Sequence, residues 1–330
     1  MAYPLFTTTS CLLPIYAFKR LFRVIPGLLL CLTSLLGACD NAPQATPVDL
    51  TQRVPTAELQ SKEPVEEFIH FGLGAMITPR EGVTYYRRLV EYLEGQLGRP
   101  IHIIDKGSYQ EFNALLKRGE LDIAFVCSGS YVTGHDQFGL QVLVVPVTPS
   151  GDKVYYSYLV VPSDSEATSM ADLKGKRFAY TDPMSNTGKL CPDHQIRLMD
   201  EDPTTFFSET IYTYAHDRSL DALIDDLVDG AAIDSLIYDY LAKTRTDITS
   251  KTKIIARSAP FGIPPVVIRP DLPQSLRERL KKEFLQMHSN PEGAEILAGM
   301  MLKRFEEGDD ADYDSVRQMR KIASSIPSEE

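Results

Sequence analysis

From Glu66 onward the chain alternates short β-type runs with amphipathic helices, and no other feature restricts its fold as strongly. Phe68-Ile69-His70-Phe71-Gly72-Leu73 reads as a strand, after which Tyr86, Leu89, Val90, Leu93 and Leu97 recur at helical spacing and 101–104 reads as a strand again. A helix over 108–118 opens on a capping pattern, Ser108 with Glu111 three residues on, and leads into a strand over 122–126. Repeated β-α-β units of this length predict parallel sheet covered by helices. A second series follows, with strands over 156–161, 177–181 and 211–214 and helices near 187–199 and 217–228. After a strand over 253–256 come Pro260-Phe261-Gly262-Ile263-Pro264-Pro265 and helices around 276–287, 292–301 and 313–324, which read as late additions to the first series. The expected architecture is therefore two α/β lobes, 65–152 plus 260–330 and 153–259. Extended crossings near 145–158 and 254–267 would join them as a hinge that permits closure on a ligand.

The N-terminus is of a different kind. Lys19, Arg20 and Arg23 precede the apolar run Val24-Ile25-Pro26-Gly27-Leu28-Leu29-Leu30-Cys31-Leu32, the pattern of a secretory signal peptide over 1–38. The run is shorter than the roughly 20 residues of a membrane span and contains Pro26, which argues against a transmembrane helix. Leu36-Gly37-Ala38-Cys39 looks like a lipobox, in which Cys39 would carry lipid and hold the protein at the periplasmic face of the cell envelope. Residues 39–64 are rich in Pro, Ala, Thr and Gln without apolar periodicity, as expected of a flexible tether. Cleavage before Cys39 would remove three basic residues, taking the formal net charge from −11 to about −14 and leaving only Cys127 and Cys191 unmodified. Two cysteines so far apart in sequence are expected as free thiols, and the acidic balance excludes a nucleic-acid surface.

Chemistry concentrates in Phe178-Ala179-Tyr180-Thr181-Asp182-Pro183-Met184-Ser185-Asn186-Thr187-Gly188-Lys189-Leu190, where a strand ends and hydroxyl and small residues open a helix. Free backbone N–H groups at a helix start, with Ser185, Thr187 and Lys189 nearby, make an anion site, although a simple cap at Ser185 or Asn186 accounts for the same residues.

The order of segments resembles the phosphonate-binding branch of periplasmic solute-binding proteins, which deliver phosphate, phosphite or phosphonate to ABC transporters. The marks are Pro79-Arg80-Glu81-Gly82-Val83-Thr84-Tyr85-Tyr86, Gly119-Glu120-Leu121-Asp122-Ile123-Ala124-Phe125 leading to Ser130-Tyr131-Val132, the Asp182-to-Gly188 segment, and Tyr214-Ala215-His216-Asp217. The resemblance implies a two-lobed type II periplasmic-binding-protein fold, each lobe a mixed, mainly parallel sheet flanked by helices, and a small oxyanion bound in the cleft without a cofactor. It implies that Ser185, Asn186, Thr187 and Gly188 hold the oxyanion, that His216 adds a donor, and that Tyr131, with Ser130 before it, and Tyr85 reach it from lobe one. Asp234 is the nearest candidate to meet an amine on the ligand, though a helix cap explains it at least as well. The implied partner is an ABC permease, with a sensor kinase as the alternative.

Cys127, in Val126-Cys127-Ser128-Gly129-Ser130, departs from what a phosphate-type ligand requires and raises arsenite as a rival; a small buried thiol filling a tight turn is the plainer reading. An enzyme built from Cys127, His216 and Asp234 would need thiol and base within hydrogen-bond reach, and these residues fall in opposite lobes, so binding without catalysis is expected. His70, His102, His135, His194, His216 and His288 show no metal-ligand spacing.

Overall fold

The computed structural model describes residues 68–74 and 79–324; the expected signal peptide, Cys39 and the tether lie outside them. The first series gives β1 (Ile69–Leu73), α1 (Pro79–Leu97), β2 (Ile101–Asp105), α2 (Tyr109–Arg118), β3 (Ile123–Phe125), α3 (Ser128–Phe138) and β4 (Gln141–Val147). β1 lies between β2 and β3, parallel to both, with Phe71 opposite Ile103 and Ile123. Ser108 caps α2 by accepting from the Glu111 N–H at 3.3 Å, as the sequence pattern requires, and Gly119 ends it at φ 73°.

The chain then crosses through β5 (Val154–Tyr155) to β6 (Ser157–Pro162), β7 (Arg177–Tyr180), α4 (Cys191–Arg197), β8 (Glu209–Tyr212), α5 (His216–Ile224), β9 (Gly230–Asp234), α6 (Ser235–Thr244), α7 (Thr246–Lys251) and β10 (Thr252–Arg257). It returns through β11 (Phe261–Gly262) to β12 (Val266–Ile268), α8 (Gln274–Gln286), α9 (Pro291–Gly299), β13 (Arg304–Glu306) and α10 (Asp314–Ser324). Two sheets result, one of six strands in the order β13-β4-β12-β3-β1-β2 and one of five in the order β10-β6-β9-β7-β8. β12 enters the first sheet antiparallel between β3 and β4, so the returning segment completes the half in which the chain began. The two crossings pair with each other as the ribbon β5·β11.

Both faces of each sheet are covered. Leu89, Leu93 and Leu97 of α1, spaced four apart, pack with Leu280 and Phe284 of α8 on one face of the six-stranded sheet; Phe112, Leu116, Tyr313 and Val316 cover the other. Each such fully buried side chain stabilises the fold by roughly 1.5–3 kcal/mol. One core cluster of the five-stranded sheet includes Tyr109 and Cys127, which belong to the first series. The two halves thus share packing at the carboxyl ends of β3, β7 and β9, where ligands of open α/β sheets bind.

Candidate ligand-binding site

A few hydrogen bonds fix the segment after β7. Thr181 donates its N–H to the Gly188 carbonyl at 3.2 Å and accepts the Tyr214 N–H at 2.7 Å. The Asp182 Oδ1 accepts from the Met184 N–H at 2.7 Å, and the Ser185 hydroxyl accepts from the Gly188 N–H at 3.0 Å. Residues Asn186–Leu190 then form a π-helical turn that runs into α4, where the sequence predicts an ordinary helix from about 187. Wide turns of this kind recur at functional sites. A side chain at Gly188 would place Cβ 2.4 Å from Thr181 Oγ1, so only glycine lets the loop fold back this tightly.

Two helix starts of the first series abut this loop. Tyr109, first residue of α2, donates its N–H to Asp182 Oδ2 at 3.1 Å. Cys127, N-cap of α3, accepts from the Ser130 N–H at 3.4 Å, and its thiol donates to the Met184 carbonyl at 3.5 Å. Gly129 permits the contact, because a Cβ there would lie 2.4 Å from the Met184 oxygen. Burial pushes the Cys127 thiol up to about 12, against the pull of backbone N–H groups, so it is neutral at ordinary pH.

α5 and α6 contribute the other wall. Tyr214, at φ 59°, turns the chain so that His216 opens α5 with its ring buried. The Asp234 N–H donates to His216 Nδ1 at 3.2 Å and the Thr181 hydroxyl sits 3.1 Å from the same nitrogen, which places the ring proton on Nε2. Burial lowers His216 to about 3, so the ring is neutral. Asp234 caps α6, its Oδ1 accepting from the Leu236 N–H at 2.8 Å, and burial raises it to about 7. Asp182 is also raised by burial, because its two backbone donors only partly offset the loss of water.

Ser185, Asn186, Thr187, Gly188, Cys127, His216 and Asp234 therefore gather at the seam between the two sheets, while the remaining expected residues do not. Tyr131 faces elsewhere: its hydroxyl donates to Asp310 Oδ1 at 2.6 Å and its ring packs on Tyr313, which turns it toward α10 and away from the loop. Ser130 is also committed elsewhere, donating to Asn113 Oδ1 at 3.0 Å while the Asn113 amide donates back to the Ser130 carbonyl. Tyr85 packs on Gly299 and meets the Tyr240 ring edge-on at 6.4 Å, lining a separate cavity. Lys189 pairs with Asp193 and lies over the Tyr180 ring, so it brings no charge to the loop.

Sequence reasoning does not bring Tyr109 or Tyr155 to this loop, yet both adjoin it. The Asn186 amide donates to the Tyr155 hydroxyl at 3.1 Å, and the Tyr155 oxygen also lies 3.0 Å from Ser128 Oγ. The Tyr109 phenol and Asn186 Oδ1 are buried with no hydrogen-bond partner among the described residues. The one available signal for Tyr109 is its place directly after the Ser108 cap, at the start of α2.

Among the described residues no Lys or Arg is buried, so stabilisation of a negative group here would come from oriented N–H and O–H dipoles. The starts of α3, the π-helical turn, α5 and α6 all meet at this seam. Cys127 and His216 share no hydrogen bond among the described residues, and a neutral thiol that donates to a carbonyl is not an activated nucleophile. No cluster of three His, Cys, Asp or Glu residues that could hold a metal occurs among the described residues.

Known proteins share this fold. The chain is 22% identical over 261 residues to the phosphonates-binding periplasmic protein of Escherichia coli strain K12, covering 78% of this chain and 77% of that one. A binding protein component of an ABC phosphonate transporter from Pseudomonas aeruginosa superposes with a TM-score of 0.72 at 22% identity, over 80% of this chain and 91% of its own. A protein from Prochlorococcus marinus, solved in complex with methylphosphonate, gives a TM-score of 0.72 at 17% identity, over 79% of this chain and 100% of its own. These likenesses confirm the two-lobed type II periplasmic-binding-protein fold. The family model for phosphonate periplasmic substrate-binding proteins of ABC transporters matches residues 71–313, most of the chain, and the chain belongs to that family.

Proposed function

We propose that this protein captures a phosphonate or closely related phosphorus oxyanion between its two halves and presents it to an ABC permease. The observation that carries this reading is the convergence of helix starts on a seam that also holds the unpartnered Tyr109 phenol. A buried hydroxyl without a partner costs about 1–3 kcal/mol, and an oxyanion oxygen would satisfy it. In this reading residues 65–152 with 260–330 and residues 153–259 move as two bodies about the β5·β11 ribbon. Ser185, Asn186, Thr187, Gly188 and His216 then hold the anion from one side, with the neutral His216 donating through Nε2. The neutral, hydrogen-bonded Cys127 thiol favours an oxygen-rich ligand over arsenite.

The test is a thermal-shift panel of orthophosphate, phosphite, methylphosphonate, 2-aminoethylphosphonate, sulfate and arsenite. A ligand at 100 times its Kd stabilises the folded state by about 2.7 kcal/mol. At least one phosphorus oxyanion is expected to raise Tm, and Ser185→Ala/Thr187→Ala is expected to abolish that rise. A panel in which only arsenite shifts Tm, or in which the double variant responds like wild type, overturns the assignment.

We also propose that Cys39 carries the lipid that holds the protein at the periplasmic face. Cys39→Ala is then expected to leave the membrane fraction with ligand affinity unchanged; a variant still acylated and membrane-bound would contradict it.

A further inference from the structure

Tyr155 lies on β5, one of the two crossings, with its ring 6.2 Å from that of Phe261 on the other. Its hydroxyl stands in the middle of a chain of hydrogen bonds. The Asn186 amide donates to it at 3.1 Å, and Ser128 Oγ lies 3.0 Å away. Ser128 in turn bonds the Gly262 carbonyl of β11 at 2.7 Å. A serine hydroxyl has one proton and a carbonyl has none, so Ser128 donates to Gly262 and Tyr155 donates to Ser128. The links therefore run in one direction, from Asn186 through Tyr155 and Ser128 to Gly262. Asn186, Tyr155 and Ser128 are all buried, so water does not stand in for a lost link.

Four segments meet in this chain: the loop after β7, the first crossing, the start of α3 and the second crossing. On either side of it the ribbon is tied to a different half. Ser157, two residues after Tyr155, donates its hydroxyl to the Thr187 carbonyl at 2.7 Å, which fastens the start of β6 to the loop. Ile263, directly after Gly262, accepts from the Tyr313 hydroxyl at 2.9 Å, which fastens the second crossing to the six-stranded half. A rotation of one half against the other would have to be taken up between these ties, where Tyr155 sits. Links of 3.0 and 3.1 Å are lost when their ends part by about 1 Å, so the chain is sensitive to a small rotation.

Resting on the oxyanion reading of the loop, we infer that Tyr155 is a positioning residue that couples the anion loop to the ribbon between the halves. Its hydroxyl holds the Asn186 amide in place and passes that hold through Ser128 to the second crossing. An anion bound at Asn186 then keeps the chain complete and the halves together, and loss of any one link lets the halves part sooner. The chain thereby sets how long the ligand stays bound, while the rate of its arrival is left to the open arrangement.

Binding of orthophosphate, phosphite and methylphosphonate to wild type, Tyr155→Phe, Ser128→Ala and the double variant tests this. Calorimetry gives Kd, and stopped-flow tyrosine fluorescence, unmasked in a chain without tryptophan, gives the association rate. Tyr155→Phe keeps the ring on Phe261 and removes the hydroxyl, so dissociation is expected to quicken at least about fivefold with association within about twofold of wild type. Ser128→Ala, which breaks the next link, is expected to reproduce that change, and it carries the test by itself if Tyr155→Phe does not fold. Added to Tyr155→Phe it should alter dissociation by less than about twofold, because a chain already cut loses nothing more. A merely structural hydroxyl would lower the urea midpoint and leave dissociation from the folded protein as it was. Unchanged dissociation in the folded variants, or effects of the two substitutions that multiply, would overturn the coupling and leave the oxyanion reading standing. Binding of none of the three anions by wild type would overturn both.

Discussion

The backbone N–H of Tyr109 donates to Asp182 Oδ2 at 3.1 Å, tying a helix start of the six-stranded half to the loop that follows β7 of the five-stranded half. The other Asp182 oxygen holds Met184 N–H at 2.7 Å, so one buried carboxylate braces the loop internally and across the seam. Asp182→Ala would leave both N–H groups without their acceptor. Each buried unsatisfied donor costs about 1–3 kcal/mol, and a loss of about 2–4 kcal/mol is expected in urea unfolding. A loss under about 0.5 kcal/mol would show that the seam is not held this way.

Tyr109 itself gives a sharper test, because stability and binding should move in opposite directions. Its phenol is fully buried without a partner among the described residues. Tyr109→Phe removes the unsatisfied hydroxyl and is expected to stabilise the ligand-free protein by about 1 kcal/mol. If the phenol donates to the anion as proposed, the same change weakens phosphonate binding about fivefold, near 1 kcal/mol. A variant that is less stable yet binds normally would assign Tyr109 to packing alone.

Much of this organisation is written locally in the chain. The capped helix after Ser108, the leucine spacing of α1 and the strand before Thr181 each rest on neighbouring residues, and the structure has all three. The Asp182-to-Gly188 segment was legible for the same reason, since a strand end followed by hydroxyl and small residues is a local pattern. Tyr131 was not, because its direction depends on Asp310, 179 residues away, and on the Tyr313 ring. Tyr155 and Tyr109 likewise gain their place only when distant segments meet at the seam. Nor does sequence spacing show that residues 186–190 widen into a π turn, which follows from the loop's closure between Thr181 and Gly188.

Cys127→Ser separates the thiol's packing role from any role in ligand choice. Serine can cap α3 and donate to Met184 as the thiol does, and the thiol is neutral at ordinary pH. Phosphonate affinity is therefore expected to change by less than about threefold, near 0.7 kcal/mol. Titration with methylphosphonate and with arsenite under reducing conditions decides the matter. Loss of an arsenite response on substitution, with no methylphosphonate response in either protein, would make Cys127 the ligand-selecting group.

Asp234 and His216 predict an unusual dependence of stability on pH. Burial raises Asp234 to about 7, so between about pH 4 and 7 the folded protein keeps a proton that the unfolded chain has released, and stability falls as pH rises through that window. His216, lowered to about 3, does the reverse: from about pH 3 to 6.5 the unfolded chain holds the extra proton, and stability rises with pH. The two slopes oppose each other over most of the same range. Asp234→Asn keeps the volume and an oxygen able to cap Leu236 but removes the titration, so it should expose the rising His216 slope. Relative to this variant, wild type is expected to lose up to about 3 kcal/mol between pH 4.5 and 7.5, the upper bound set by a carboxyl raised from 3.8 to about 7. Urea unfolding of both proteins at the two pH values measures the difference directly, and contributions of Asp182 and His216 common to both largely cancel. Equal pH dependence in the two proteins would mean that Asp234 is solvated in the folded state, and the account of the seam as a dry, dipole-lined site would fail with it.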